Sequence, residues 1–180
     1  MRSLQGGEIE QLDMLLLEYP ASNREAVRGQ WRALEDAQQA GRVRSLGVAN
    51  FSPEQLDFIL SDPKAKLRPQ LNQISYSPAY RNPYAQIRRA HRERGILLQA
   101  WGPLGGPTWG LGGATLAELA AIGEECGRRS AQQVALRWIV QRGVAVCVHS
   151  RKLEHLQDDL KLFDWRLSEA QLERVDRLCS

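Results

Sequence analysis

The sequence predicts an α/β fold whose strands run parallel. Apolar runs of strand length begin near Asp13, Val43, Gln70, Leu97 and Val144, at a spacing of roughly 30 residues with one insertion after the fourth run. A helical segment follows each run, and this alternation is typical of parallel strands joined by right-handed crossovers. The runs are apolar almost throughout, which indicates that both faces of the sheet are covered. Either an open doubly wound sheet or part of a (β/α)8 barrel fits this pattern.

The first strand and helix occupy the segment up to Gly41. Leu12 to Glu18 is a buried-strand run that ends in a carboxylate, and Tyr19-Pro20 interrupts it. A capping box formed by Ser22 and Glu25 predicts the start of a helix with apolar residues at helical spacing. Gly41 ends this helix, because a residue that accepts positive φ is favoured just beyond a helix C-terminus.

The second and third strands follow the same plan. Val43 to Val48 is a β-branched run, and Asn50 stands at its carboxyl end. Ser52 and Gln55 form a capping box with proline at the first helical position, which predicts the next helix. Gln70 to Ile74 is the third strand.

The second half of the chain contains two further strands, Ile96 to Ala100 and Val144 to Val148. Gly102 to Gly113 forms the longest loop, and long loops in compact domains are often functional. Capping boxes predict the starts of three more helices, at Thr115 with Glu118, Ser130 with Gln133, and Ser168 with Gln171.

Composition narrows the class of protein. The 180 residues are 43% hydrophobic and 25% charged, so we expect one globular domain over residues 1–180. The net charge is only +3 and its basic residues are scattered, which argues against a nucleic-acid partner. No apolar run reaches the length of a membrane span, and the N-terminus lacks the apolar segment of a signal peptide. The widely separated cysteines lack metal-ligand spacing and fit reduced thiols in a cytoplasmic protein.

Polar or aromatic side chains follow every predicted strand, where sites of parallel α/β folds form. No glycine-rich phosphate-binding fingerprint follows a strand, which argues against a dinucleotide-binding Rossmann unit. The strand ends offer Glu18, Asn50, Gln73 with Ser75, Trp101, and His149 with Ser150.

Seven segments, in order along the chain, form a recognisable set: Leu12–Pro20, Trp31–Glu35, Gly41–Phe51, Leu71–Ile74, Gly95–Gly105, Ala131–Trp138 and Leu162–Ser168. Together they resemble the C-terminal two-thirds of an aldo-keto reductase, a (β/α)8-barrel family that reduces carbonyls with NADPH. The resemblance implies a partial TIM barrel of about five parallel strands with surrounding helices, truncated at its N-terminus by three strand-helix units. Its open sheet edges, Leu12–Glu18 and Val144–Val148, predict self-association.

The resemblance also implies cofactor-binding residues at the nicotinamide end. Asn50 and Gln73 match the residues that hold the carboxamide, although Ala49 replaces the serine that usually precedes the asparagine. Trp101 matches the aromatic residue that stacks on the nicotinamide ring. The loop from Gly102, with Leu104 as its main contact, matches the one that lies along the pyrophosphate.

At the adenosine end the match is weaker. The family typically has Lys-Ser after the last strand and an arginine five residues beyond the serine, where this chain has His149, Ser150 and His155. Losing both cations predicts weakened NADP(H) binding, because a guanidinium fork is a strong phosphate ligand. Asp159 adds a negative charge near the adenine. No metal is implied.

The catalytic tetrad of the family is incomplete. In the family, the Asp, Tyr and Lys come from the first three strand-helix units of the barrel, which the matching segments do not cover. At the position of the His this chain has Glu18. In the steroid 5β-reductases of the family a glutamate at that position accompanies reduction of a carbon-carbon double bond; Glu18 can equally be drift in an incomplete chain. Two functions therefore stay open. One is an NAD(P)H-dependent reductase of small carbonyl substrates, inactive as this chain alone; the other is a non-catalytic nucleotide- or protein-binding module.

Overall fold

A computed structural model describes residues 10–105 and 110–179 of the chain. Five strands alternate with helices along the sequence: β1 Leu12–Leu17, β2 Val43–Ala49, β3 Leu71–Ser75, β4 Leu97–Trp101 and β5 Ala145–Val146. The helices are α1 Arg24–Gln39, α2 Pro53–Leu60, α3 Tyr84–Glu93, α4 Gly113–Glu125, α5 Ala131–Gln141, α6 Leu153–Leu160 and α7 Glu169–Leu178, with a 3-10 turn at Lys161–Phe163. The predicted alternation of strands and helices is confirmed.

Capping explains most of the helix starts. Ser52, Ser130 and Ser168 each form the predicted capping box with the glutamine three residues later. Two predicted starts are wrong. Asn23, and not Ser22, caps α1 by accepting a hydrogen bond from the Ala26 amide.

The start of α4 is the second error. The helix begins at Gly113 after Gly112, before the predicted capping pair of Thr115 and Glu118.

The contacts divide the chain into two compact units. Among the described residues, the first consists of residues 10–73 and 93–96, and the second of residues 74–92, 97–105 and 110–179. In the first unit the strand order is β1-β2-β3, and all pairs are parallel, from Leu12 opposite Val43 to Ala49 opposite Gln73. Its core lies between these strands and helices α1 and α2, around Trp31 and Leu56.

Buried polar groups fix the first unit's loops. The Trp31 Nε1 donates to the Leu67 carbonyl at 3.1 Å. One carboxylate oxygen of Glu35, which is 6% exposed, accepts from the amides of Lys66 and Leu67, both at 2.8 Å. These contacts satisfy a carboxylate that would otherwise be costly to bury.

The second unit has the strand order β3-β4-β5, with the end of β3 contributing. Gln99 lies opposite Ala145 and Ala100 opposite Val146 in a parallel pair. Its core surrounds Trp138, whose ring lies 5.3 Å from Tyr76 and 6.0 Å from Tyr84 between centroids. The Trp138 Nε1 donates to Asp176 of α7 at 2.9 Å.

The fifth strand is shorter than predicted. It covers Ala145–Val146 where the sequence predicted Val144 to Val148. The amide of Val144 bonds to the Ile139 carbonyl at the end of α5, so this residue belongs to the helix terminus. The predicted apolar edge at Val144–Val148 is therefore limited to two strand residues.

Candidate functional site

Three predicted site residues lie together at the strand ends of the first unit. Glu18 follows β1 and is exposed, and its carbonyl oxygen accepts a hydrogen bond from the Asn50 Nδ2 at 3.2 Å. The Asn50 amide in turn donates to the Gln73 carbonyl at 2.9 Å. The ends of three adjacent strands are therefore joined through Asn50.

The backbone of Asn50 explains why asparagine suits this position. Its φ is +62°, in the left-handed region that asparagine tolerates better than most residues with a side chain. Because both its amide and its side chain bond to neighbouring strand ends, the orientation of the side-chain amide is fixed by the fold.

Sequence reasoning missed the role of Asn72, which is fully buried. Its Nδ2 donates to the Phe51 carbonyl at 2.8 Å, and its Oδ1 accepts from the Phe51 amide at 3.4 Å. It holds the turn that carries Asn50 away from β2. The signal was a polar side chain within an apolar strand, because such a residue must find partners when buried.

The second unit contains a cavity of about 810 Å³. The loop after β4, the start of α5, the segment after β5 and the end of α6 form its walls. Six predicted site residues line it: Gly102, Leu104, His149, Ser150, His155 and Asp159. The structure thus brings residues from distant parts of the sequence to one concave surface.

The loop after β4 is held in a tight conformation. The Gly105 amide donates to the Gly102 carbonyl at 2.9 Å, and both glycines have positive φ. A Cβ on Gly105 would lie 2.7 Å from the Gly110 Cα, so only glycine fits where the loop returns on itself. This wall presents backbone to the cavity.

Trp101 is the last residue of β4 and directly precedes this loop. The residue is 37% exposed, and its carbonyl accepts a hydrogen bond from the Tyr76 amide at 3.4 Å. It is not among the residues that line the described cavity. Asn50 and Gln73 belong to the first unit, whereas Trp101 and the cavity belong to the second.

The start of α5 is a cavity wall that sequence analysis identified only as a helix cap. Ser130, Gln132 and Gln133 all line the cavity. The Gln133 amide donates to the Ser130 Oγ at 3.2 Å, which fixes the first turn of the helix. The N-terminal end of an 11-residue helix carries partial positive charge, so this wall favours an anion.

The wall formed by the segment from Ser150 to His155 is held by a local hydrogen-bond network. The Ser150 Oγ lies 3.3 Å from the His155 Nδ1, accepts from the Lys152 amide at 3.1 Å and donates to the Lys152 carbonyl at 3.2 Å. This network fixes the turn into α6, with the His155 ring at the cavity.

Acidic side chains complete this wall. Asp158 pairs with the Lys161 Nζ at 3.0 Å, while burial raises the pKa of Asp159, an effect that nearby His155 partly offsets and Asp158 reinforces.

Neither a metal-binding cluster nor a membrane-spanning helix is found within residues 10–105 and 110–179. Among them, no group of three or more His, Cys, Asp or Glu side chains has an arrangement that could hold a metal ion. None of the helices formed by these residues is both long enough and apolar enough to cross a membrane.

The chain is built of parallel strand-helix units with polar residues at the strand ends, and its second unit contains a cavity. These features are typical of α/β proteins whose sites form at the carboxyl ends of strands. Known proteins define the group more narrowly. The sequence model of the aldo/keto reductase family matches residues 1–179. The chain belongs to this family.

Individual relatives agree with this assignment. The chain is 31% identical to glyoxal reductase of Bacillus subtilis (strain 168), over 98% of this chain and 60% of that protein. It is 30% identical to 7-acetyl-epi-neemfruitin B aldo-keto reductase of Melia azedarach, over 98% of this chain and 59% of the relative. The chain thus spans about 60% of the length of the curated relatives that it matches.

Solved structures support the fold. An aldo-keto reductase enzyme from a Medee basin deep-sea metagenome library superposes with a TM-score of 0.81 at 23% identity, over 94% of this chain and 60% of that one. The five parallel strands with their surrounding helices are part of the (β/α)8 barrel of aldo-keto reductases. The predicted fold class is confirmed.

Proposed function

We propose that this chain supplies the cofactor-binding part of an NAD(P)H-dependent carbonyl reductase. The observation that carries the proposal is the cavity of the second unit, where six residues assigned to cofactor binding by resemblance line one surface. Aldo-keto reductases generally use such cofactors, and family membership makes carbonyl reduction the expected chemistry. The cysteines at 126, 147 and 179 are unbridged, which fits a cytoplasmic location.

The walls of the cavity fit the pyrophosphate of a dinucleotide. The start of α5 lines the cavity, and the positive end of that helix's dipole favours a negatively charged ligand there. In the loop after β4, Gly102 and Gly105 have no side chains, so a ligand can approach the backbone closely. When bound, the cofactor would supply the hydride for reduction.

The residues of the nicotinamide end keep the roles that the resemblance implies. The resemblance assigns Asn50 and Gln73 of the first unit to the carboxamide, and it assigns Trp101 of the second unit, which is partly exposed, to the nicotinamide ring. The hydrogen bond from the Asn50 Nδ2 to the Glu18 carbonyl supports this role, because it orients the side chain before any ligand binds.

Carbonyl reduction also needs a proton donor for the developing alkoxide. By resemblance that donor is a tyrosine tuned by Lys and Asp, and none of these three has a counterpart in the matched segments. Glu18 is the one tetrad position represented. We propose that the chain alone binds the cofactor without reducing a carbonyl, and that reduction requires the part of the barrel that the relatives possess in addition.

Binding is tested by titrating the chain with NADH and NADPH, following quenching of tryptophan fluorescence. Thiol labelling with iodoacetamide then locates the cofactor. Cys147 is exposed and lines the cavity, so bound dinucleotide should protect it from labelling. Cys179 serves as the internal control, because it is buried and burial raises its pKa to about 12.

We expect quenching together with slower labelling of Cys147 and unchanged labelling of Cys179. Absence of both quenching and protection with either cofactor would refute the proposal.

Catalysis is tested by following cofactor oxidation with a panel of aldehydes. The chain alone should give no turnover. Addition of the N-terminal 40% or so of a relative, carrying the family's Asp, Tyr and Lys, should restore it if the chain is a reductase part. Turnover without that fragment would contradict the proposed inactivity, whereas binding with no rescue would favour a non-catalytic nucleotide-binding module.

A further inference from the structure

We propose that the cavity of the second unit selects NAD(H) over NADP(H), and that Asp159 is the residue that sets this preference. The inference rests on the proposed function, because it concerns which dinucleotide the same cavity accepts. The two cofactors differ by one phosphate group, which carries about −1.5 to −2 charge at neutral pH. The charge of the cavity walls therefore decides between them.

The charged side chains that line the cavity are acidic. Asp158 and Asp159 contribute carboxylates, and among the described lining residues there is no lysine or arginine. The basic residues that adjoin the lining on its N- or C-terminal side, Arg129, Arg151 and Lys152, lie outside it. A phosphate monoester held here would lack the charge-assisted contacts that normally bind it.

The two aspartates are not equivalent. Asp158 is paired with the Lys161 Nζ at 3.0 Å, which compensates its charge. Within residues 10–105 and 110–179, no hydrogen bond or ion pair reaches the carboxylate of Asp159, which is half-buried. Burial raises its pKa, because water solvates this carboxylate poorly. Asp159 is thus the carboxylate whose interaction with a ligand is least compensated.

A poorly solvated carboxylate distinguishes a hydroxyl from a phosphate. It can accept hydrogen bonds from a ribose hydroxyl, as acidic residues do in NAD-binding sites of other folds, and it repels a phosphate at the same place. The two histidines of the cavity do not reverse this balance. His155 is already in contact with the Ser150 hydroxyl, and an imidazole lacks the fork of donors with which arginine binds phosphate.

The test compares dissociation constants for NADH and NADPH, measured by fluorescence titration of the full chain. We expect NADH to bind about tenfold or more tightly than NADPH. Asp159→Asn should weaken NADH binding and strengthen NADPH binding, so the ratio of the two dissociation constants should move several-fold toward one. Asp164→Asn is the matched control, because it removes the same charge from an exposed aspartate outside the cavity and should leave the ratio unchanged.

A second variant tests a gain of binding. Combining Asp159→Asn with His155→Arg should make NADPH the tighter ligand, and circular dichroism melts establish that each variant folds. Equal or tighter NADPH binding by the unmodified chain would overturn the inference and leave the proposed function intact. An unchanged ratio in Asp159→Asn would overturn the role of Asp159. Binding of neither cofactor would overturn both proposals.

Discussion

Helices α5 and α6 form two walls of the same cavity, yet they are anchored very differently. Seven residues of α5 are buried, namely Ala131, Val134, Ala135, Leu136, Arg137, Trp138 and Ile139. None of the eight residues of α6, all of them described, is buried. The leucines of α6, Leu153, Leu156 and Leu160, lie on the surface instead, and only the turn after the helix contributes a buried apolar residue, Leu162.

The difference extends to the helix starts. The side chain of Ser130 caps α5, whereas Lys152 precedes α6 and no side chain of the described residues caps it. Since most helical stability in proteins comes from tertiary packing, α5 should form a rigid wall and α6 an adaptable one. A binding site built this way fixes one part of a ligand and adjusts to the rest.

Truncating a leucine on each helix should give the largest contrast. Leu136 is 1% exposed and Leu160 is 78% exposed. We expect Leu136→Ala to lower the free energy of unfolding by about 2–5 kcal/mol, because a cavity remains in the core. Leu160→Ala should change it by less than about 0.5 kcal/mol. Urea denaturation followed by circular dichroism measures both; similar losses would show that α6 is anchored as firmly as α5.

Removing a carboxylate that pairs with each helix should again destabilise the protein more at α5 than at α6, although both losses should be smaller than for Leu136→Ala. Asp176 accepts from the Trp138 Nε1 of α5 and pairs with Arg142, and both partners would lose a bond in Asp176→Ala. We expect a loss of about 1–3 kcal/mol. Asp158→Ala breaks the exposed pair with Lys161 on α6 and should cost less than about 0.5 kcal/mol.

Thermal melts of the two aspartate variants at equal pH provide the comparison. A loss in Asp158→Ala as large as that in Asp176→Ala would contradict the assigned difference.

The caps should differ in the same direction. Ser130→Ala removes a capping box and should cost about 1 kcal/mol. Lys152→Ala removes no capping hydrogen bond of its side chain and should be close to neutral. Helix content at increasing urea would report both changes, and a neutral Ser130→Ala would show that packing alone holds the start of α5.

The smallest predicted effect concerns pH. Burial raises the pKa of Asp159 on α6, so the folded chain holds this proton more tightly than the unfolded chain. Stability from this group is therefore greatest below its unfolded pKa of about 3.9 and falls as pH rises through the folded value. Asp159→Asn should be slightly more stable than the unmodified chain at pH 7 and equal to it near pH 3.5. Melting temperatures across this range test the sign, and a destabilised variant at pH 7 would contradict it.

Much of this architecture was predictable because it depends on local signals. The three serine-glutamine capping boxes and the first four strands follow from residues close together in sequence. The errors arose where two local signals compete. Asn23 caps α1 although Ser22 also fits, and Val144 bonds to the end of α5 although its β-branched side chain suits a strand.

The candidate site was predictable only in part. The resemblance identified residues that line the cavity, but the wall formed by Ser130, Gln132 and Gln133 depends on how distant elements pack, which no local pattern encodes. The contact of Asn72 with Phe51, which holds the turn that carries Asn50, also depends on packing, since it joins that turn to a neighbouring strand. The roles of the predicted residues and the single-domain organisation stay predictions.

The exposed face of α6 has a consequence for the time course of hydrogen exchange. With no buried residue and no side-chain cap, α6 should open and exchange its amides much faster than α5. A bound dinucleotide would then slow exchange mainly in α6, and part of the binding free energy would be spent in ordering that helix. The affinity for a cofactor should therefore rise in variants that stabilise α6 without touching the cavity.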